Sequence, residues 1–162
     1  MGMFDDLRCD YPLPAEGANA LAYQTKDTPA QYMEQYVIRE DGTLWGEEYD
    51  TEDQSDPNAE GLSRLIGCAT RVNKRPVQVA DFTGELRFYT FEKDSFDDRD
   101  PGSWVEWSSY FVDGKLKEVH LISDTRAERA AAMAGLPPDT RTQREKFDAL
   151  FAPPSTDKET ND

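Results

Sequence analysis

One histidine, two cysteines and several runs of carboxylates are the side chains of this sequence that could take part in chemistry. His120 could act as a general base, working with Cys68 or Glu118. A reactive thiol needs a neighbouring base and a positive environment, whereas Cys68 lies in an apolar stretch. No nucleophile motif accompanies the histidine. We therefore expect a packed, hydrogen-bonded imidazole at position 120 and a buried structural thiol at position 68.

Two acidic runs invite a metal-binding interpretation. They span residues 47–53 and residues 94–100. Calcium loops place oxygen ligands at alternate positions around a glycine, and neither run has that spacing. Zinc sites use Cys and His, but this chain has one histidine and no closely spaced cysteine pair. We expect no metal, no cofactor and no catalytic residues, with both runs solvated.

Negative charge is concentrated in the first third of the chain. The formal net charge is −15, and residues 1–60 contribute −12 through fifteen Asp or Glu against three Lys or Arg. Such a field disfavours direct binding to nucleic acid and favours cationic partners. Carboxylates on a sheet can imitate a phosphate array and occupy the basic cleft of a nucleic-acid-binding protein, although simple solubility is the alternative. The predicted acidic binding surface consists of Glu47, Glu48, Asp50, Glu52 and Asp53.

The segment 84–123 has the most clearly predicted secondary structure. Asp113-Gly114 is typical of a two-residue type I′ turn, which needs positive φ at both positions. A hairpin closed there has one predominantly apolar face, which we assign to the core. On this face His120 lies opposite Trp107. The core positions of its first strand are Val105, Trp107, Ser109 and Phe111.

A second Asp-Gly pair, at positions 41 and 42, predicts another two-residue hairpin. In that register Ile38 lies opposite Trp45, on a face with aromatic anchors. Further along, the sequence Asn73-Lys74-Arg75-Pro76 predicts a turn between two short strands.

The predicted fold is α+β and mainly β: an antiparallel meander of about six or seven strands with two short C-terminal helices. Residues 1–20 are expected to form an extended N-terminal arm, because two prolines restrict residues 11–14. Residues 21–152 are expected to form a single domain, and residues 153–162 a disordered tail. The first helix is predicted over 126–134, capped by Thr125 with Glu128, and the second over 141–151, capped by Asp139 or Thr140.

No basic and apolar leader opens the chain, and its longest run of small apolar residues is too short to span a bilayer. These features predict a cytoplasmic protein with free thiols and no membrane association. The sequence leaves the oligomeric state open. One alternative to the acidic binding surface is a small-molecule or enzymatic pocket formed by Trp107, Tyr110 and His120.

Four segments carry a resemblance to known proteins: MFDDLRCDYPLP, YQTKDTPAQY, IREDGTLWGEEYDTED and DFTGELRFYTF. Together they resemble small acidic uncharacterised proteins of bacterial phages and prophages. The resemblance covers most of residues 3–122, leaves out the Ala-rich C-terminal part, and brings no active site. It implies a bacterial cytoplasm and an accessory or host-modulating role. The expected function is thus a non-enzymatic, phage-derived modulator or inhibitor of a host protein with a basic surface; a phage structural component is the remaining alternative.

Overall fold

The computed structural model of the protein describes residues 4–30, 33–94 and 97–151, so the predicted tail at 153–162 lies outside the described residues. Within these ranges the chain forms eight strands, two α helices and two short 3₁₀ helices, the latter at Ala18–Ala20 and Gly61–Leu65. The strands are β1 (Asp5–Cys9), β2 (Tyr23–Thr25), β3 (Gln35–Ile38), β4 (Leu44–Glu52), β5 (Thr70–Gln78), β6 (Gly84–Glu92), β7 (Ser103–Val112) and β8 (Lys115–Asp124). The helices are α1 (Arg126–Ala134) and α2 (Gln143–Leu150).

The eight described strands form one mixed sheet in the order β5-β4-β3-β1-β2-β6-β7-β8. β1 runs parallel to β3 and antiparallel to β2, while β4 is antiparallel to both β3 and β5. The prediction of a mainly β fold with two short helices is confirmed. The predicted antiparallel meander of six or seven strands is wrong, because β1 lies between β3 and β2 and pairs with β3 in parallel.

The extended arm expected over residues 1–20 contains a strand of the sheet that the sequence did not predict. Residues 5–9 form β1, in which Asp5, Leu7 and Cys9 are buried and the two residues between them are exposed. This alternation is typical of a strand with one buried face. The prolines lie after the strand, at positions 12 and 14, so their restriction of the backbone does not reach it.

The chain groups into two compact units over the residues described. The first comprises the described residues within Met1–Thr90 and Glu106–Ile122, and the second comprises those within Phe91–Val105 and Ser123–Asp162. In the first unit Phe88 contacts the edge of Tyr23, with ring centroids 5.0 Å apart, and stacks on Trp107 at 6.5 Å. In the second unit the buried residues include Asp97, Asp100, Ser103 and Val105.

The hairpin predicted at Asp113-Gly114 is present. Both residues have positive φ, 49° and 68°, and the flanking strands end at position 112 and begin at 115. The predicted core face of β7 is confirmed as well, because Val105, Trp107, Ser109 and Phe111 are all buried.

The turn at Asp41-Gly42 differs from the prediction by one residue. Ile38 pairs with Leu44, and Val37 pairs with Trp45. Only Gly42 has positive φ, because the Asp41 carboxylate accepts hydrogen bonds from the Thr43 N–H and hydroxyl at 3.0 and 2.6 Å. The Arg39 N–H donates to the Thr43 carbonyl, which closes a three-residue loop. A shift of one residue moves Trp45 to the face opposite the core.

Backbone hydrogen bonds join the two hairpin turns of the first unit. The Leu44 N–H donates to the Gly114 carbonyl at 2.9 Å, and the Leu116 N–H donates to the Gly42 carbonyl at 2.8 Å. The Gly114 N–H donates to the Phe82 carbonyl at 2.8 Å. A Cβ atom added to Gly114 would lie 2.8 Å from the Cα of Ala80, so glycine is needed for close approach as well as for its positive φ.

The range of α1 agrees with the prediction, α2 lies within the predicted range 141–151 but begins two residues later, and the caps of both helices differ. The Thr125 hydroxyl accepts a hydrogen bond from the Trp104 N–H at 2.8 Å and makes no capping bond to α1. Thr142 caps α2 and forms a reciprocal capping box with Glu145. Asp139 makes ion pairs with Arg141 and Lys146 instead of capping the helix.

Candidate functional site

The predicted acidic surface lies on the hairpin formed by β4 and β5. Paired residues run from Trp45 with Gln78 to Glu52 with Thr70, whereas the pairs that join β4 to β3 are Val37 with Trp45 and Ile38 with Leu44. Residues 48–75 thus extend past the segment of β4 that pairs with β3. We call these residues the β4–β5 extension.

The predicted turn at 73–76 is wrong, because these residues continue β5. Pro76 pairs with Glu47, which is possible because β5 is the first strand in the sheet order and its outer backbone edge needs no N–H donor. The register changes between Glu48 and Asp50, where Asn73 has a φ of 52°. A β-bulge therefore accounts for the turn-like residues.

Basic residues of β5 pair with the inner carboxylates of the predicted surface. Lys74 lies 3.3 Å from Glu47, and Arg75 lies 2.8 Å from Glu48 and 3.5 Å from Asp50. The two hydrogen bonds and the charge of Glu48 and Asp50 raise the pKa of Arg75. The pairing of opposite charges on adjacent strands reduces the net charge of this part of the surface.

The outer carboxylates differ from the inner ones. Glu52, Asp53, Asp56 and Glu60 form no ion pair with a Lys or Arg in the described part of the chain. Asp53 accepts hydrogen bonds from the Ser55 N–H and hydroxyl, which lower its pKa. Four carboxylates against Arg64 alone give residues 52–69 a formal charge of −3. The uncompensated negative charge of the extension is therefore found in its outer part.

A buried carboxylate anchors the base of the extension. Glu34 is buried and accepts a hydrogen bond from the Tyr49 hydroxyl at 2.7 Å. Arg71 forms an ion pair with Glu34 at 3.2 Å, and its guanidinium lies 4.4 Å from the centroid of the Tyr49 ring. The hydrogen bond to Glu34 raises the pKa of Tyr49. One residue from each of β4 and β5 is thereby tied to the residue preceding β3.

The alternative pocket of Trp107, Tyr110 and His120 is not assembled in the structure. Trp107 is completely buried, and its indole N–H donates to the Tyr23 hydroxyl at 3.3 Å. Tyr110 lies on the opposite face of β7 from Trp107 and is 46% exposed. His120 is exposed on β8, the last strand of the sheet order, with Glu118 3.3 Å away. The prediction of a packed imidazole is wrong, because this position of β8 faces solvent.

A cavity of about 630 Å³, which the predicted hairpin register does not contain, lies over β3 and β4 in the first unit. Val37, Trp45 and Pro76 contribute apolar lining, and the Arg39 guanidinium lies 3.5 Å from the centroid of the Trp45 ring. The predicted register paired Trp45 with Ile38, which is a core residue. Thr43 after Asp41-Gly42 is the sequence signal for the observed three-residue loop, because Asp side chains bond their backbone two residues on.

The two cysteines are free, and they differ in exposure. Burial raises the pKa of Cys9 to about 12. Cys68 is exposed in the extension, so the predicted buried thiol at that position is wrong. The apolar residues around Cys68 are themselves exposed.

The acidic run 94–100 belongs to a polar network of the second unit. Asp100 is buried and accepts two hydrogen bonds from Arg129, at 2.9 and 2.7 Å. These bonds, with those from the N–H groups of Asp94 and Gly102, hold the pKa of Asp100 well below its usual range. The expectation of a fully solvated run is wrong here, because arginines remote in sequence pair with it.

In the residues that the structure describes, no group of three or more His, Cys, Asp or Glu side chains is placed to hold a metal ion. No helix in the described ranges has the length and apolar character needed to cross a membrane. Comparison of the chain with protein-family models, curated proteins and solved structures found no match.

Proposed function

We propose that this protein is a non-enzymatic acidic binding protein that engages the basic surface of another protein. The observation that carries the proposal is the uncompensated group of Glu52, Asp53, Asp56 and Glu60 in the outer part of the β4–β5 extension. The inner carboxylates are paired with β5, so the outer four are the carboxylates of the extension that an approaching cation can meet without displacing a Lys or Arg. Such a field steers oppositely charged partners.

The partner class follows from the same charges. A nucleic-acid-binding protein offers Lys and Arg arranged to contact phosphates, and carboxylates at the end of an extension can occupy such a surface. In this proposal the protein acts in the bacterial cytoplasm as a phage-derived modulator or inhibitor. The resemblance of most of residues 3–122 to small acidic proteins of phages and prophages is the ground for this part of the proposal.

The cavity over Trp45 favours a second candidate function, which is binding of a small molecule or a short peptide. Arg39 covers one face of the Trp45 indole, and the lining includes Glu40, Asp41 and Glu47. A cationic ligand would be attracted to these carboxylates and compete with Arg39 for the ring. Titration with an arginine-containing peptide, followed by Trp fluorescence, tests this candidate by comparing wild type with Trp45→Phe.

The main proposal is tested with two variants that remove four charges each. The first changes the outer carboxylates to Glu52→Gln, Asp53→Asn, Asp56→Asn and Glu60→Gln. The matched control removes four exposed carboxylates elsewhere, through Asp6→Asn, Asp81→Asn, Glu118→Gln and Glu128→Gln. A partner recovered from bacterial lysate at low salt is purified and its association rate is measured by surface plasmon resonance at two ionic strengths.

We expect the first variant to associate about tenfold more slowly than wild type at low salt, and with weaker salt dependence, because exposed charges act mainly by steering. The control should associate at a rate close to that of wild type. Equal rates for the two variants would show that net charge, and not the extension, governs binding. Equal rates for all three proteins would rule out the electrostatic proposal.

A further inference from the structure

Three large apolar side chains at the end of the β4–β5 extension face solvent. Leu62, Leu65 and Ile66 are 85%, 64% and 75% exposed. Leu62 and Leu65 lie three residues apart in the 3₁₀ helix, a spacing that puts their side chains on the same side. We call these three residues the tip patch. Contiguous exposed apolar groups of this kind mark interaction sites.

The backbone that presents the tip patch is held in a defined conformation. The Gln54 N–H donates to the Gly67 carbonyl at 2.7 Å, and the Ile66 N–H donates to the Ser63 carbonyl at 3.2 Å. Gly67 has a φ of 83°, and a Cβ atom there would lie 2.9 Å from the Gln54 carbonyl oxygen. The loop is therefore closed around a required glycine. A loop that is already ordered binds with a smaller entropic cost than one that must order on contact.

Charge indicates what kind of surface covers the tip patch. Glu52, Asp53, Asp56 and Glu60 flank it in sequence on one side, and Arg64 is the cation within residues 52–69. A second copy of the chain would bring the same carboxylates against each other, which is unfavourable. An anionic lipid surface would be repelled for the same reason. A protein surface with an apolar strip bordered by Lys and Arg complements both features.

We infer that the tip patch is the hydrophobic anchor of the binding surface, and that it packs against an apolar strip bordered by basic residues on a partner protein. The inference rests on the proposed function in that the outer carboxylates supply the electrostatic part of the same contact. The apolar anchor supplies the short-range part and determines how long the complex lasts. Interfaces commonly combine a few buried apolar residues with a polar rim in this way.

The test uses defined peptides as the partner surface. The first probe is an amphipathic helical peptide made of Leu and Lys, and the second is a Lys peptide of the same length and charge without Leu. Binding of the full chain to each is measured by fluorescence anisotropy. The anchor variant carries Leu62→Ser, Leu65→Ser and Ile66→Ser. Its control carries Leu121→Ser and Ile122→Ser, which remove exposed apolar side chains from β8. Circular dichroism and urea unfolding verify that each variant folds.

We expect wild type and the β8 control to prefer the Leu–Lys peptide over the Lys peptide. The anchor variant should bind the Leu–Lys peptide about 30-fold more weakly, the loss typical of a binding hot spot. Its affinity for the Lys peptide should equal that of wild type. The four-charge variant Glu52→Gln, Asp53→Asn, Asp56→Asn and Glu60→Gln should lose affinity for both peptides.

The outcomes separate the two proposals. Equal binding of the Leu–Lys peptide by wild type and the anchor variant would overturn the anchor while leaving the electrostatic function in place. Unchanged binding by the four-charge variant would overturn the electrostatic function. Two further measurements on wild type and the anchor variant cover other occupants of the patch. The first is binding to phosphatidylcholine–phosphatidylglycerol vesicles, and the second is self-association in the ultracentrifuge. The inference would be overturned if wild type showed either behaviour and the anchor variant did not.

Discussion

Replacement of Gly114 by alanine tests how much the packing of the Asp113-Gly114 turn against residues 79–82 and Leu44 stabilises the first unit. Gly114 has a φ of 68°, and an added Cβ atom would lie 2.8 Å from the Ala80 Cα. An alanine in this left-handed conformation costs about 1–2 kcal/mol. The displacement also weakens the hydrogen bonds of Gly114 with Phe82 and Leu44, each worth about 0.5–1.5 kcal/mol. The conformational cost and the loss of two hydrogen bonds together predict that Gly114→Ala lowers the free energy of unfolding by about 2–5 kcal/mol.

Gly61 provides a matched control, because its φ is 64° and no atom lies within 4 Å of its Cβ position. Gly61→Ala carries the conformational cost alone, about 1–2 kcal/mol at most. The assay is equilibrium urea unfolding followed by Trp fluorescence for wild type and both variants. Equal losses for Gly61→Ala and Gly114→Ala would refute the reasoning, because the close approach of Gly114 to residues 79–80 and its hydrogen bonds with Phe82 and Leu44 would then contribute nothing.

Three further predictions concern buried and exposed groups. In the same urea assay, Glu34→Gln should lower the free energy of unfolding by about 1–3 kcal/mol, because it removes a buried charged acceptor. Glu48→Gln removes an exposed ion pair and should change the free energy of unfolding by less than about 1 kcal/mol. Iodoacetamide at pH 8 should modify Cys68 and leave Cys9 unmodified in the folded protein, which mass spectrometry of tryptic peptides can verify. The folded-state pKa of Asp100 is lowered, so its stabilising contribution is present above the unfolded pKa of about 4 and is lost as pH falls. Stability measured by urea unfolding between neutral pH and acid should therefore fall less steeply in Asp100→Asn than in wild type, and parallel curves would contradict this.

Local chemistry explains which parts of the fold could be predicted from the sequence. Asp113-Gly114 and the core face of β7 depend on residues within one hairpin, so turn type and alternation sufficed. β1 could not be found in this way, because its partners lie at positions 23–25 and 35–38 and its pairing with β3 is parallel. At Asn73-Lys74-Arg75-Pro76 the local turn signal was overridden by the pairing of β5 with β4.

The candidate site shows the same division between local and long-range information. The carboxylates from Glu47 to Asp53 were visible as a run of sequence. Their separation into paired inner and uncompensated outer groups was not visible, because it depends on Lys74 and Arg75 lying across the hairpin. The interior position predicted for His120 was wrong for a related reason. A hairpin register indicates which residues share a face, but not whether another strand or helix covers them.

The junction of the two hairpin turns has a consequence for the kinetics of folding. It joins Gly42 to Leu116 and Leu44 to Gly114, so the contacting residues are 74 (116 minus 42) and 70 (114 minus 44) positions apart in the chain. Closing so long a loop costs chain entropy before the contacts form, and folds rich in such contacts reach the native state in milliseconds to seconds. During synthesis from the N-terminus, the first hairpin is complete well before residues 114–116 leave the ribosome. Until then, the Leu44 N–H and the Gly42 carbonyl have only solvent or chaperones as hydrogen-bond partners at these positions.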